Sequence, residues 1–429
     1  MLRLLPLLLS IALCTCGRAQ IDYFPPTTET DWASTDSGYD PDSVAAFYHF
    51  LEATQTKGFL LLQDGKIALE KYFGDFGQDS VWYWASAGKS LRAALIGIAA
   101  RDGNLQLTDT TARYLGNGWT NLSPDREQAI TVWHQLTMTS GLNELFFSCT
   151  TPNCLRYLAP AGTRWAYHNS PYSLTKEVLE EATGSSLNEY TRRKIAIPLG
   201  MQTGGWVAAD FNTIYFSRVR DAARFGHLIL AGGKWSGGQQ LLDSVFLRTM
   251  LSPAQDINPA YGYLWWLNGQ DDHMLPGDRT RFSGPIAPAA PADLVVAAGR
   301  NGQFISVVPS TGTVMVRFGE AATDDFAPLD YHNAIWERLN TLKTTTATTH
   351  RTTPPTLKSF PNPAGRFVYL QLPTGNHEFA LVDEWGRRCR TGLTQGRIAL
   401  SGLPGGVYTL RLRVAGEVFV SRFVKRVTD

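Results

Sequence analysis

The 429-residue sequence is poor in net charge, cysteine and histidine, and each shortage removes a class of function. Its 39 basic and 38 acidic side chains leave a formal charge of +1, so nothing points to nucleic acid or another polyanion as partner. The eight histidines form no H-E-x-x-H or other metal-ligand spacing, so neither a metal nor a cofactor is expected. A transmembrane span is not expected either: the apolar run from Leu4 to Leu13 is too short to cross a bilayer. There is no internal repeat and no coiled-coil heptad.

That apolar run has another reading. MLRLLPLLLSIALCTCGRAQ has one Arg, an apolar centre and small residues at Gly17 and Ala19, the pattern of a secretory signal peptide over residues 1–19. Leu13 and Thr15 are poor residues to precede a lipidated Cys14 or Cys16. Of the three cysteines beyond the leader, Cys149 and Cys154 are five apart in a polar loop, and export favours a disulfide between them. No His lies near enough to make them a metal pair, and Cys389 is left over. The 44% hydrophobic composition, with 12 Trp, 16 Tyr and 21 Phe, belongs to a folded chain with large packed interiors.

Composition divides the rest. Residues 58–73 read as a hairpin around Asp64-Gly65, residues 86–101 as a helix apolar all round, and residues 105–270 as mainly helical with many turns. A further helix is expected over 221–230. Strands follow at 294–298, 304–308 and 313–318, then a helix at 328–342. An antiparallel sheet built from both ends of residues 20–342, with helices inserted, is the simplest α+β arrangement. The Thr/Pro stretch 343–356 has almost nothing to bury and reads as a linker. Residues 357–429 alternate short apolar runs with turns, as a small all-β sandwich would.

The chemistry concentrates at W-A-S-A-G-K-S, residues 84–90. Its G-K-S ending suggests a phosphate-binding loop, but that loop needs a glycine where Tyr83 stands, and a ring there defeats the close backbone approach. The other reading is S-x-x-K. Ser86 and Lys89, three apart at a helix start, share one face, and a buried Lys sheds its proton easily enough to act as base toward the hydroxyl. Alone the pattern is common. Downstream stand Tyr167-His168-Asn169 and A-A-G-R-N-G-Q-F at 297–304.

With those motifs in that order and at about those separations, the chain resembles the β-lactamase and penicillin-binding-protein-like serine hydrolases over roughly residues 40–340. Within them it is most similar to the class C, esterase and 6-aminohexanoate-dimer-hydrolase branch. The resemblance implies a β-lactamase/transpeptidase-like antiparallel sheet flanked by helices, with a helical subdomain. It also implies an acyl-enzyme at Ser86 with Lys89 as base or proton shuttle. Tyr167 would be the second acid/base group, its anion stabilised by Lys89. Asn169 would bond the substrate amide or Lys89, and the backbone N–H groups of Ser86 and Gln303 would form the oxyanion hole. The substrate would be a small ester, amide or short peptide-like molecule. D-alanyl-D-alanine peptidase or β-lactamase activity, and a penicillin-binding sensor without turnover, are the alternatives; the intact Ser, Lys and Tyr speak against the last.

The departure is at Arg300-Asn301-Gly302, where the family has Lys or His, a variable residue, then Gly. Arg cannot shuttle a proton. It either clamps a substrate carboxylate or turns to solvent. His168 stands at a variable position and is expected to be a wall residue, and His134 a structural one. Tyr261, Tyr263, Trp265 and Trp266 either line the cleft or pack the core. In the C-terminal part, F-P-N-P at 360–363, L-V-D-E-W-G at 381–386 and L-P-G-G-V-Y at 403–408 resemble a type IX secretion sorting domain. That likeness implies secretion machinery as a partner and export across the periplasm of a Gram-negative cell. A carbohydrate-binding or adhesive β-domain is the other reading.

Overall fold

The computed structural model describes residues 21–342 except 28–30, 147 and 323–327, and residues 359–426 except 373, 384–387 and 415–416. The proposed leader, the linker and Glu384-Trp385-Gly386 therefore lie outside the described residues. The chain divides into two units at residues 344/345.

In the first unit, Asp40 caps α1 (Pro41–Ala53) by accepting from the Ser43 N–H at 2.9 Å. The hairpin β1 (Thr56–Gln63) and β2 (Lys66–Tyr72) follows, turned at Asp64 and Gly65, with Gly65 at φ +82°. Next come β3 (Trp82–Tyr83), α2 (Gly88–Arg101), α3 (Asn169–Ser173), α4 (Thr175–Thr183), β4 (Gly205–Ala209), β5 (Asn212–Ser217) and α5 (Val219–Leu230). Strands β6 (Trp266–Leu267), β7 (Val295–Gly299), β8 (Gln303–Val308) and β9 (Thr313–Gly319), then α6 (Leu329–Leu339), follow, with shorter helices and strands between these elements.

The main sheet runs β2-β1-β9-β8-β7-β6 with antiparallel pairing. Strands from the two ends of the unit thus meet at β1–β9, as expected. Every residue of β7, β8 and β9 is buried, so the centre of the sheet is covered on both faces. On one face lies α5, buried along its whole length. Helix and sheet touch at Gly226, where a Cβ would come within 2.6 Å of Val314 Cγ1. The helix α2 is buried from Gly88 to Ala99, charged residues included, and its sequence is accordingly apolar on every side.

One expectation needs correction. The stretch 105–270 is not only helices and turns: β4 and β5 form a hairpin that pairs with β3 in a separate three-stranded sheet. Its turn is Asp210-Phe211 rather than a glycine pair, and Asp210 takes the left-handed φ of +51° itself. In the second unit, a strand at Arg388–Thr394 (R-C-R-T-G-L-T) is exposed along most of its length and carries no apolar run that would announce it.

That second unit comprises β10 (Ser359–Phe360), β11 (Phe367–Leu370), β12 (His377–Asp383), β13 (Arg388–Thr394), β14 (Arg397–Ala399), β15 (Gly406–Val414) and β16 (Glu417–Lys425). They make two sheets, β10-β11-β14 and β13-β12-β15-β16, sharing a core of Val368, Leu381, Ile398, Leu410, Leu412 and Phe423. No helix among the described residues is long and apolar enough to cross a membrane.

Candidate active site

The aromatic run before Ser86 is an anchor. Trp84 is fully buried, its N–H donates to Tyr215 O at 2.8 Å, and its indole N–H donates to Ser217 Oγ at 2.8 Å. Trp82 and Tyr83 pair with β5. With both sides of the turn pinned, Ala85 is held at φ +47°, a conformation that costs a non-glycine residue about 1 kcal/mol or more. Ser86 follows in the single 3₁₀ turn Ala85–Ala87 that leads into α2. Gly299, at the end of β7, closes on this turn: a Cβ there would stand 2.4 Å from Trp84 O and 3.0 Å from Ser86 N. Glycine is needed here for close approach, since its φ is −128°.

Lys89 Nζ donates to Ser86 Oγ at 3.0 Å, so the structure brings the two together as the spacing predicts. Among the described residues no carboxylate pairs with the ammonium. It lies over two rings instead, 4.3 Å from the centroid of Tyr172 and 5.3 Å from that of Tyr167. Burial, helped by the charge of Arg92, lowers the Lys89 pKa to about 7. Half of the amine is therefore free near neutrality.

Tyr167 departs from expectation. Burial pushes its phenol well above the usual value, opposed by a hydrogen bond with Ser86, while Tyr172 adds to the rise. Lys89 Nζ stands over the ring, and no pull from Lys89 offsets the burial of the phenol. Tyr167 keeps its proton, and the basic group of the pair is Lys89. The ring is held by the aromatic cluster downstream, stacked on Trp266 at 6.2 Å and edge-on to Tyr261 at 6.2 Å. Tyr261, Tyr263, Trp265 and Trp266 are all buried, so they pack the core, and two of them set the pose of Tyr167.

His168 sits in extended backbone, φ −121° and ψ 112°, so its side chain points opposite to those of Tyr167 and Asn169. It is 1% exposed, and burial lowers its pKa to about 4. A Ser–His pair is therefore absent from this arrangement. Asn169 Oδ1 is buried and has no hydrogen-bond partner among the described residues; the bond to Lys89 is not made. His134 caps its own short helix: its Nδ1 accepts from the Thr131 N–H at 3.1 Å.

The third motif forms a turn between β7 and β8. Asn301 and Gly302 both take left-handed φ, +65° and +76°. Buried Arg317, on β9, donates to Asn301 O at 2.6 Å and Gly302 O at 3.1 Å. Asn301 Nδ2 donates to the Tyr83 hydroxyl at 2.7 Å, tying this turn to the residue that replaces the phosphate-loop glycine. The Gln303 side chain is occupied with Gly319, donating to its O at 2.6 Å and accepting from its N at 3.0 Å. Only the Gln303 backbone is thus left for a ligand, and its pairing with Gly299 places it beside the Ser86 turn. Arg300 is exposed.

Cys149 and Cys154 are joined in a disulfide, and Ser170, next to Asn169, donates to Phe146 O at 3.0 Å in the same loop. Among the described residues no cluster of His, Cys, Asp and Glu is arranged to hold a metal. Sequence reading missed Tyr172, Arg92, Gly299 and Arg317. Only Gly299, a strand-end glycine beside the third motif, left a sign in the sequence.

A beta-lactamase family model matches residues 47–335. A Bacillus subtilis (strain 168) protein named as penicillin-binding protein PbpX is 26% identical over 166 residues, 34% of this chain. The match spans only 40% of that relative's length. Among solved structures, a Bacillus anthracis protein named as a 6-aminohexanoate-dimer hydrolase superposes with a TM-score of 0.55 at 18% identity, over 68% of this chain and 80% of its own. A Bacteroides dorei DSM 17855 protein named as a beta-lactamase gives 0.56 at 19% identity, over 71% and 99%. These two likenesses speak to the fold.

Proposed function

Because the chain belongs to the beta-lactamase family, we propose that it is an exported serine hydrolase that cleaves a small ester or amide through an acyl-enzyme at Ser86. The observation that carries the reading is the 3.0 Å contact between Ser86 Oγ and a buried Lys89 whose pKa has fallen to about 7. In its uncharged form Lys89 accepts the hydroxyl proton as Oγ attacks the carbonyl carbon. The Ser86 and Gln303 N–H groups receive the developing oxyanion. Tyr167, still protonated, gives its proton to the leaving group and is recharged from the Lys89 ammonium. Water then attacks the acyl carbon along the same path in reverse.

Within the family the reading favours the class C, esterase and 6-aminohexanoate-dimer-hydrolase branch. An exposed Arg300 on the site's turn suits a carboxylate-bearing amide or short peptide. Replacing Arg300 with alanine should then raise KM for carboxylate-bearing substrates about tenfold, with neutral esters little changed. Equal effects on both would reject the clamp.

Residues 357–429 are proposed to be a secretion sorting domain, following the linker 343–356, with residues 1–19 as the export signal. In support, the F-P-N-P segment is tied to the final strand: Val424 N donates to Asn362 Oδ1 at 2.9 Å and Ala364 N to Val424 O at 2.7 Å. The partner would be the secretion machinery, and the destination the cell surface or medium.

One experiment addresses both halves. A fluorophosphonate probe should label the protein at the cell surface or in the medium, and Ser86→Ala should remove the label. A chain ended at residue 342 should be labelled inside the envelope only. Label persisting in Ser86→Ala rejects the nucleophile, and unchanged export of the shortened chain rejects the sorting role.

A further inference from the structure

Arg92 lies one turn beyond Lys89 on α2 and is fully buried. Buried guanidinium groups are ordinarily matched by carboxylates, because an unpaired charge in the interior is costly. Among the described residues its hydrogen bonds go to hydroxyls instead: Nη1 to Thr175 Oγ1 at 3.3 Å and Nη2 to Thr213 Oγ1 at 2.6 Å. Its Nε has no partner. The rest of its surroundings are aromatic, with Cζ 4.5 Å from the Trp206 ring centroid and 5.2 Å from that of Tyr172. Tyr172 is thus flanked by the two buried cations of α2, Lys89 and Arg92.

The proton relay from Ser86 has no evident need of a second buried cation. It does need Lys89 uncharged. Ser86, Arg92, Tyr167 and Tyr172 face Lys89, with Tyr261 behind Tyr167, and none is a carboxylate. Glu177 and Glu180 on α4 exert their pull on Arg92. Among the described residues, the one charge that bears on Lys89 is thus Arg92, of its own sign.

Resting on the hydrolase reading, we propose that Arg92 is a positioning residue for the reaction: its unmatched guanidinium, one helical turn away, disfavours a second positive charge at Nζ and keeps Lys89 available to take the Ser86 proton. Two neutral hydroxyls hold it in place, where a carboxylate would have cancelled the effect.

The sign of the pH response follows. Lys89 works as the free amine, so acylation rises with pH through its pKa of about 7. Removing or neutralising the Arg92 charge takes away one of the two lowering influences, and the acid limb moves up.

The measurement is the second-order rate of fluorophosphonate labelling of the full chain from pH 5 to 10. Arg92→Gln removes the charge. Thr213→Asp leaves Arg92 and its packing in place and supplies the missing carboxylate from a partly exposed strand position, which guards against a folding defect in the first variant. Both should move the acid limb up by about one pH unit while the alkaline plateau stays within about threefold. Arg92→Lys should leave the limb in place. A limb unmoved in Arg92→Gln and in Thr213→Asp overturns the inference while leaving Ser86 and Lys89 in their roles. Absence of labelling at Ser86 in the unmodified chain overturns the hydrolase reading and this inference with it.

Discussion

Replacing Lys89 with methionine is expected to cut acylation of Ser86 by about three orders of magnitude and at the same time to raise the melting temperature. The first effect is the loss of a positioned general base, typically worth about 10²- to 10⁴-fold. The second comes from the same burial that makes Lys89 a base. A lysine whose pKa falls from 10.5 to about 7 on folding opposes folding at neutral pH by about 4 kcal/mol. Methionine has a similar length, carries no charge and packs well against rings such as Tyr172. Part of the 4 kcal/mol is offset by the lost cation–ring contacts, so a net gain of about 1–3 kcal/mol, a few degrees in Tm, is expected.

The pH dependence separates this explanation from simple repacking. Below pH 7 the unmodified fold must hold a charged Lys89, and its disadvantage against the methionine variant is greatest. Between pH 7 and 10.5 the unfolded chain gives up its proton too, and the two stabilities should converge. Calorimetry across that range decides. A variant that melts lower than the unmodified chain at pH 6.5, or a difference independent of pH, would mean that Lys89 is not held at the expense of stability.

Ser86 and Lys89 could be found in the sequence because helix geometry fixes what residues three apart do: they share a face wherever the helix is placed. The buried helix around them was legible for a similar reason, since G-K-S-L-R-A-A-L-I-G-I-A-A has no polar stripe to turn outward. Tyr167 and Asn169 were legible as a pair because an extended residue lies between them. What the pair does was not. Whether Tyr167 gains or loses basicity depends on how its ring is buried, and that is set in part by Trp266 and Tyr261, about a hundred residues away. Arg92 and Tyr172 were missed for the same reason, as their importance arises only where side chains of α2 and α3 meet. The β4–β5 hairpin escaped because its turn places aspartate in a left-handed conformation usually marked by glycine.

Acid is expected to unfold the first unit well before its carboxylates are exhausted, because three buried histidines must then be charged. His168, His227 and His332 are at or below 1% exposure, and burial lowers their pKa values to about 4, 4 and 3. The bond at His332 suits the neutral ring, while the one between His227 and Tyr23 O partly opposes the effect of burial. His332 Nε2 accepts from the Trp336 indole N–H at 3.2 Å, which a protonated ring could not do, and His227 Nε2 lies 2.9 Å from Tyr23 O. In the unfolded chain each histidine binds its proton near pH 6.5; in the fold it does not do so until about pH 4 or lower. Between those values the unfolded state binds about three more protons, so stability falls with pH by up to about 4 kcal/mol per unit. Above pH 6.5 both states hold neutral imidazoles and this contribution is flat. Half-buried His134, lowered to about 4 as well, adds to the slope by a smaller amount because solvent screens it. Urea unfolding followed by tryptophan fluorescence should therefore give a shallow loss of about 1 kcal/mol from pH 8 to 7, which Lys89 contributes, and a much steeper loss from pH 6 to 4.5. His168→Asn should lessen that slope by about one proton. A stability unchanged between pH 7 and 5 would show that these rings do not stay neutral inside the fold.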